Sequence, residues 1–358
     1  MQSPALAVVS LDRSGGGVAV VADLLWRVFQ DHFGDRARLL SLLEGTATTP
    51  TLPDKLRFGA RLAQAQLVSG VDWILFSHLA LAKAHDRVPR RLRCGYGVFL
   101  HGIEAWNELS PRELRLLREA NLRLSNSEYT ARRVMDAHPE IGVVHPCPLA
   151  LPPRIPATVG RSPVSLGPHA VLVVGRMASG ERYKGHDQLI DCWPAVVASV
   201  PDAQLVFVGG GDDRERLEGR AAAGQVPSRI VFTGFVAESA LDRLFEECAI
   251  FALPSRGEGF GLVYLEAMAH GRPCVGSVHD AAGDVIEDGV TGRLVDQADI
   301  QGLSTTLAAL LVDEPLRRRM GEAGRARLRA RFSFDRFRAR VLHLLGATVP
   351  SPAMSVSA

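Results

Sequence analysis

Two carboxylates and two cations, carried on separate loops, are the residues of this chain best spaced to do chemistry together. Glu258 and Glu266 flank the glycine-rich run Gly259-Phe260-Gly261-Leu262, which follows an apolar run at Ile250–Leu253 and opens a helical pattern near Leu262. Glycine lets the backbone approach a ligand closely and take strained angles. The start of a helix then offers N–H groups and a positive dipole end to an anion or to sugar oxygens. Both carboxylates can accept hydrogen bonds from one polyhydroxylated ligand. The plainer alternative is a glycine turn between two solvated glutamates. The cations are Arg176 and Lys184, within Val174-Gly175-Arg176 and Lys184-Gly185-His186, again between a strand pattern and a helix pattern. Arg in bidentate fashion and Lys as a point charge can clamp a diphosphate. Alone, they read equally well as surface cations.

Two more loops belong to the same class. Asp12-Arg13-Ser14-Gly15-Gly16-Gly17 lies between the first strand and the first helix, where a phosphate or sugar can sit on the helix N-terminus or the turn can be purely structural. It is not the Gly-x-Gly-x-x-Gly dinucleotide fingerprint. His101 directly follows a strand pattern in His101-Gly102-Ile103-Glu104-Ala105-Trp106. A lone His is more often structural than catalytic, and Trp106 reads as a packed aromatic.

Together these segments resemble the retaining glycosyltransferases of family four. The Glu, seven residues, Glu spacing of Glu258 and Glu266 is similar to that family's signature, and Gly175-Arg176 with Lys184-Gly185 resembles its Gly-Arg … Lys-Gly element. The resemblance implies a GT-B fold, with two doubly wound Rossmann-like α/β domains facing a central cleft. It implies that Glu258 contacts the donor sugar, that Glu266 binds the ribose hydroxyls, and that the main chain at Phe260, Gly261 and Leu262 holds the sugar and diphosphate. Arg176 and Lys184 would neutralise the leaving nucleoside diphosphate. His101 would stand beside the reacting sugar, and Gly16 and Gly17 would face the diphosphate. Thr233-Gly234-Phe235-Val236 resembles the segment whose main chain meets the base, a turn with a core aromatic being the alternative. Ser125–Thr130 resembles an acceptor-side element, although Ser127 as a helix cap explains it equally well. The expected catalytic residues are therefore Glu258, His101, Arg176 and Lys184. The expected donor-binding residues are Gly16, Gly17, Arg176, Lys184, Phe235, Val236, Glu258, Gly259, Phe260, Gly261, Leu262 and Glu266.

The elements that must position these loops alternate between strand-length apolar runs and amphipathic stretches, the pattern of βαβ units around parallel sheets. Strands are expected at Leu6–Leu11, Arg38–Leu43, Trp73–Phe76, Gly95–Leu100, Leu122–Ser125 and Gly142–His145, then at Ala170–Gly175, Gln204–Val208, Ile230–Thr233, Ile250–Leu253, Pro273–Gly276 and Gly292–Val295. The helix pattern of the second half begins with Lys184–Ser199. These runs divide the chain into an acceptor domain at 1–148, a proline-rich linker at 149–169 and a donor domain at 170–332. A helix at 333–347 is expected to cross back to the first domain, and a polar tail fills 348–358. Ligands of such sheets bind outside the carboxyl ends of the strands, where all the segments above lie.

Composition narrows the function. The chain has 358 residues with 47% hydrophobic and 22% charged residues, enough for two cores, and a formal net charge of +2, too small to suggest nucleic-acid binding. No apolar stretch is long enough to span a membrane, and no signal peptide is evident. The five cysteines are odd in number with no Cys-x-x-Cys pair, which fits a reducing cytoplasm. Arginines at 87, 90, 91 and 93, and at 112, 115 and 118, could meet the inner membrane face or remain solvated. The sequence has no Asp-x-Asp pair to hold a metal on a diphosphate, and Asp212-Asp213 reads as a helix cap. The expected activity is metal-independent, cofactor-free retaining transfer of a hexose. The donor would be GDP-mannose or a UDP-hexose and the acceptor a glycan or lipid-linked molecule, in cell-envelope or exopolysaccharide synthesis. The competing readings are a sugar-nucleotide epimerase, a dehydrogenase built on Val208–Asp212, and a non-catalytic carbohydrate-binding partner.

Overall fold

The computed structural model describes residues 1–12, 16–45, 49–152 and 162–348. Gly15, much of the expected linker and all but the first residue of the expected tail lie outside them. The chain forms two compact units, Met1–Pro152 with Phe334–Ala358, and Pro153–Ser333.

The first unit is a six-stranded sheet in the order β2-β1-β3-β4-β5-β6, with every pair parallel. Its strands are β1 (Pro4–Val8), β2 (Arg38–Ser41), β3 (Trp73–Phe76), β4 (Gly95–Leu100), β5 (Leu122–Ser125) and β6 (His145–Pro146). All residues of β1 and β3 are buried, as expected of parallel strands covered on both faces. The connecting helices are α1 (Gly17–Phe33), α2 (Leu52–Leu67), α3 (Leu79–Ala82), α4 (Ile103–Trp106), α5 (Pro111–Glu119) and α6 (Glu128–Ala137). Their starts follow local chemistry. Ser110 and Glu113 form a reciprocal capping box with Pro111 in the first turn, and Ser127 caps α6 through the Thr130 N–H at 2.9 Å.

The second unit repeats the plan, with all pairs parallel in the order β12-β11-β10-β7-β8-β9. Its strands are β7 (Ala170–Val174), β8 (Gln204–Val208), β9 (Ile230–Gly234), β10 (Ile250–Ala252), β11 (Cys274–Ser277) and β12 (Gly292–Val295). Its helices are α7 (His186–Ser199), α8 (Arg214–Ala222), α9 (Glu238–Glu247), α10 (Leu262–Ala269), α11 (Ala282–Val285), α12 (Ile300–Val312) and α13 (Glu314–Arg331). The last helix, α14 (Phe334–Thr348), belongs to the first unit. There it buries Phe337, Val341 and Leu345, packs on α1, and Arg340 donates to the Pro148 carbonyl at 2.8 Å.

Several expected strand boundaries move by one to three residues, and two changes have a clear backbone reason. β1 covers Pro4–Val8 and β2 ends at Ser41, short of the expected Leu11 and Leu43. The strand expected over 142–145 shrinks to His145–Pro146, since Gly142 has φ 83°. Helix α7 starts at His186 rather than Lys184, because Gly185 takes a left-handed conformation with φ 83°.

In each unit the strand order reverses beside the first strand, between β1 and β3 and between β7 and β10. The loops on either side of that point diverge and leave room for a ligand. In the second unit β7 and β8 leave the sheet in close contact. A methyl group added at Gly209, which has φ 128°, would lie 2.1 Å from the Gly175 carbonyl oxygen. Gly209→Ala is expected to cost about 2–3 kcal/mol and lower the melting temperature by several degrees. Calorimetric unfolding checks this.

Candidate functional site

The carboxyl end of the second sheet gathers the residues of interest. Arg176 sits just past β7, and Gly175 is tied to β8 by its N–H to the Val208 carbonyl at 3.0 Å. The loop runs from there to Gly185 and folds against the loop after β10. The Arg256 N–H donates to the Tyr183 carbonyl at 2.9 Å. A side chain at Gly257 would strike the Tyr183 ring at 2.7 Å, and one at Gly185 would strike the Pro254 carbonyl oxygen at 2.5 Å. Both positions need glycine because the two loops touch there.

This contact brings Arg176, Lys184 and Glu258 together around a further carboxylate, Glu181. The Lys184 ammonium, with a side chain only 13% exposed, lies 3.1 Å from the Glu181 carboxylate and 3.6 Å from that of Glu258. Glu181 also pairs with Arg176, whose side chain remains 69% exposed. The series Arg176–Glu181–Lys184–Glu258 thus alternates in charge along the mouth of the sheet. Burial, then the charges of Glu181 and Glu258, push the Tyr183 phenol up to about 12.

The glycine run beyond Glu258 divides its tasks. Phe260 is 2% exposed and its ring packs edge-on against Phe332 at 5.8 Å, so only its main chain can meet a ligand. Gly261, with φ 83°, is the N-cap of α10 and no side chain caps that helix start. Glu266 lies in the second turn of α10, half-buried. Phe235, after β9, is 80% exposed and is no core aromatic; its ring lies over Gly210, where a side chain would meet it at 2.7 Å. Val236 beside it is half-buried.

Asp212 and Asp213 do not cap α8 as the sequence suggests. Asp213 has no capping hydrogen bond; its carboxylate accepts from Arg216 at 2.6 Å and Arg182 at 2.8 Å, and Arg216 above all holds it well below the usual carboxylate range. Asp212 accepts from the backbone and hydroxyl of Ser179 at 2.9 and 2.6 Å. Both aspartates therefore brace the loop that carries Lys184.

In the first unit, His101 follows β4. Its Nε2 lies 2.6 Å from the Ser77 carbonyl oxygen, its own carbonyl accepts from Asn126 at 2.6 Å, and its N–H donates to Glu104. Its ring stacks on His78 at 5.5 Å. Burial, then the charge of His101, lower the His78 pKa. Gly16 is the N-cap of α1 with φ 81°, and Gly17 is its first residue. Trp106 packs edge-on to Tyr129 at 5.5 Å, with Arg133 5.3 Å above its ring. The expected basic surface is largely paired: Arg93, Arg112 and Arg115 converge on Asp86, and Arg90 lies 3.5 Å from Glu119. No helix among the described residues is long and apolar enough to cross a membrane.

The family model for "Glycosyl transferases group 1" matches residues 161–327. The second unit is a group 1 glycosyl transferase domain. Over 170 residues the chain is 36% identical to the GDP-mannose-dependent monoacylated alpha-(1-6)-phosphatidylinositol monomannoside mannosyltransferase of Corynebacterium glutamicum, covering 45% of this chain and 44% of that one. Over 155 residues it is 37% identical to the phosphatidyl-myo-inositol mannosyltransferase of Mycobacterium leprae, covering 43% and 40%. The chain thus spans less than half the length of these curated relatives. Two solved structures cover nearly all of it at a TM-score of 0.74. HepE of Anabaena, in complex with UDP and glucose, is 20% identical and covers 96% of this chain and 100% of its own. The sucrose-phosphate synthase of Thermosynechococcus elongatus is 21% identical and covers 96% and 98%. The architecture is that of the GT-B fold.

Two carboxylates of the glycosyl transferase domain escaped sequence reasoning. Glu181 is separated by a few residues from each cation it joins, and Asp280, on the loop after β11, becomes a neighbour of Glu258 only through the sheet order. The lone signal for Glu181 was its place between Arg176 and Lys184. His186, also in this loop, is neutral: burial, then the Lys184 charge, push it from 6.5 down to about 4. A His with a lowered folded-state pKa loses stability as pH falls through the window from 6.5 to about 4, because the unfolded chain binds more protons there. The expected slope is at most about 1.4 kcal/mol per pH unit. His186→Gln should flatten that limb, as measured by urea unfolding at neutral and mildly acidic pH.

Proposed function

We propose that this protein is a retaining hexosyltransferase that moves mannose from GDP-mannose to a lipid-linked acceptor of the cell envelope, without a metal ion. The observation that carries this is Lys184 standing between Glu181 and Glu258, with Arg176 beside it. A diphosphate binder and a sugar binder lie within one ion-pair distance, at the end of a parallel sheet where ligands bind. GDP-mannose is favoured over a UDP-hexose by the GDP-mannose dependence of the Corynebacterium relative, while the UDP bound by HepE keeps the uridine donor as the second arm of the test.

In the proposed reaction the bond between the anomeric carbon and the diphosphate oxygen breaks, and the acceptor oxygen bonds that carbon from the same face. The departing phosphate oxygen takes the acceptor proton. Arg176 and Lys184 stabilise the charge that develops on the diphosphate, aided by the uncapped start of α10. Glu258 orients the sugar and is not a nucleophile; Glu266 takes the ribose hydroxyls; Phe235 and Val236 border the base. Two cations and a helix start supply what a metal would otherwise contribute. In the first unit, His101 is held by Ser77 and His78 and is the group there proposed to act on the sugar. Arg87, Arg91 and Arg118 remain exposed and are the residues left for peripheral contact with anionic lipid.

Donor hydrolysis and transfer should proceed with GDP-mannose in EDTA at an unchanged rate; a strict metal requirement would overturn the metal-independent reading. Arg176→Ala and Lys184→Ala are each expected to lower kcat/KM by about 100-fold or more. Glu181→Gln removes the carboxylate that competes with a diphosphate for both cations, and is expected to tighten GDP or UDP binding about threefold in calorimetry. If the wild-type protein binds neither nucleotide, the carbohydrate-binding reading replaces this one.

A further inference from the structure

Asp280 lies on the loop leaving β11, at the same carboxyl end of the sheet as Glu258, and is only 4% exposed. Burying a carboxylate is costly unless its oxygens are satisfied. Both oxygens here accept backbone N–H groups. Oδ1 accepts from Ala282 at 2.9 Å and Oδ2 from Glu258 at 3.2 Å. The Ser255 hydroxyl is a third donor, and its oxygen accepts in turn from the Gly257 N–H at 3.1 Å. The next residue closes the grip: the Ala281 N–H donates to the Glu258 carbonyl at 3.1 Å. Glu258 is therefore tied by both of its main-chain polar groups to two consecutive residues of another loop. Lys184 meets its side chain at 3.6 Å. The backbone is pinned by one loop and the carboxylate by another.

We propose that Asp280 is a positioning residue for Glu258, fixing the turn so that the Glu258 carboxylate reaches the donor sugar in a single orientation. The proposal rests on the reading of Glu258 as the sugar anchor. Burial first, and the charge of Glu258 among the lesser causes, push Asp280 up to about 8. An amide would fill the same volume. A carboxyl group, however, presents an oxygen to each of the Ala282 and Glu258 N–H groups at once, which an amide cannot. Asn at this position keeps one acceptor and turns an NH2 group toward the remaining donor. Asp280→Asn thus cuts a single bond to Glu258 and leaves the nucleotide-binding residues Arg176, Lys184 and Glu266 untouched.

The experiment compares wild type and Asp280→Asn in GDP-mannose and UDP-glucose turnover, GDP and UDP calorimetry, and thermal unfolding. The expected result is a fall in kcat of about 30-fold, with nucleoside diphosphate affinity within about twofold of wild type. Asp280→Glu, which restores two acceptor oxygens, should recover part of kcat. Wild-type kcat in Asp280→Asn overturns the proposal. So does an equal loss of kcat and nucleotide affinity accompanied by a collapse in melting temperature, which marks a residue needed only for folding; if Asp280→Asn does not fold, Asp280→Ser is read by the same criteria. Wild-type protein that turns over neither donor sinks the underlying donor reading instead, a failure visible before any variant is made.

Discussion

A single ammonium group, on Lys184, sets the terms for everything around it. With a side chain 13% exposed, it has lost most of its water and must be surrounded by negative charge. Glu181 and Glu258 supply that charge from two loops. The demand runs in both directions, because a half-buried carboxylate at Glu258 needs the cation as much as the cation needs it.

The backbone makes that balance possible. Gly185 and Gly257 remove the side chains that would hold the loops after β7 and β10 apart. Asp212 and Asp213, through Ser179, Arg182 and Arg216, stiffen the outer side of the Lys184 loop. Asp280 and Ala281 do the same for the Glu258 turn from the opposite strand neighbour. These contacts convert flexible loop ends into fixed points, and fixed charges stabilise a transition state without reorganising during the reaction.

Much of this was legible in the residues. Apolar runs such as Trp73–Phe76 and Gln204–Val208 are read without ambiguity because buried parallel strands carry little else. Arg176, Lys184, Glu258 and Glu266 stood out by type and spacing, and the first three converge. What stayed hidden has a common physical cause. Whether an aspartate caps a helix or braces a loop depends on which arginine the tertiary structure delivers, so Asp213 looked like a cap and is not one. Asp280 acquires its neighbour from the adjacency of β10 and β11, which no local pattern encodes. Phe235 could not be placed from its type, since an aromatic beside a turn is usually buried and this one lies exposed over Gly210.

The last helix carries a consequence for synthesis. Phe337, Val341 and Leu345 of α14 complete the core of the first unit, yet they are translated after the whole of the second. Until α14 is made, the first unit therefore lacks the residues that cover its apolar face beside α1. The half made first is the half finished last, and its uncovered surface is the one a chaperone would meet on the nascent chain.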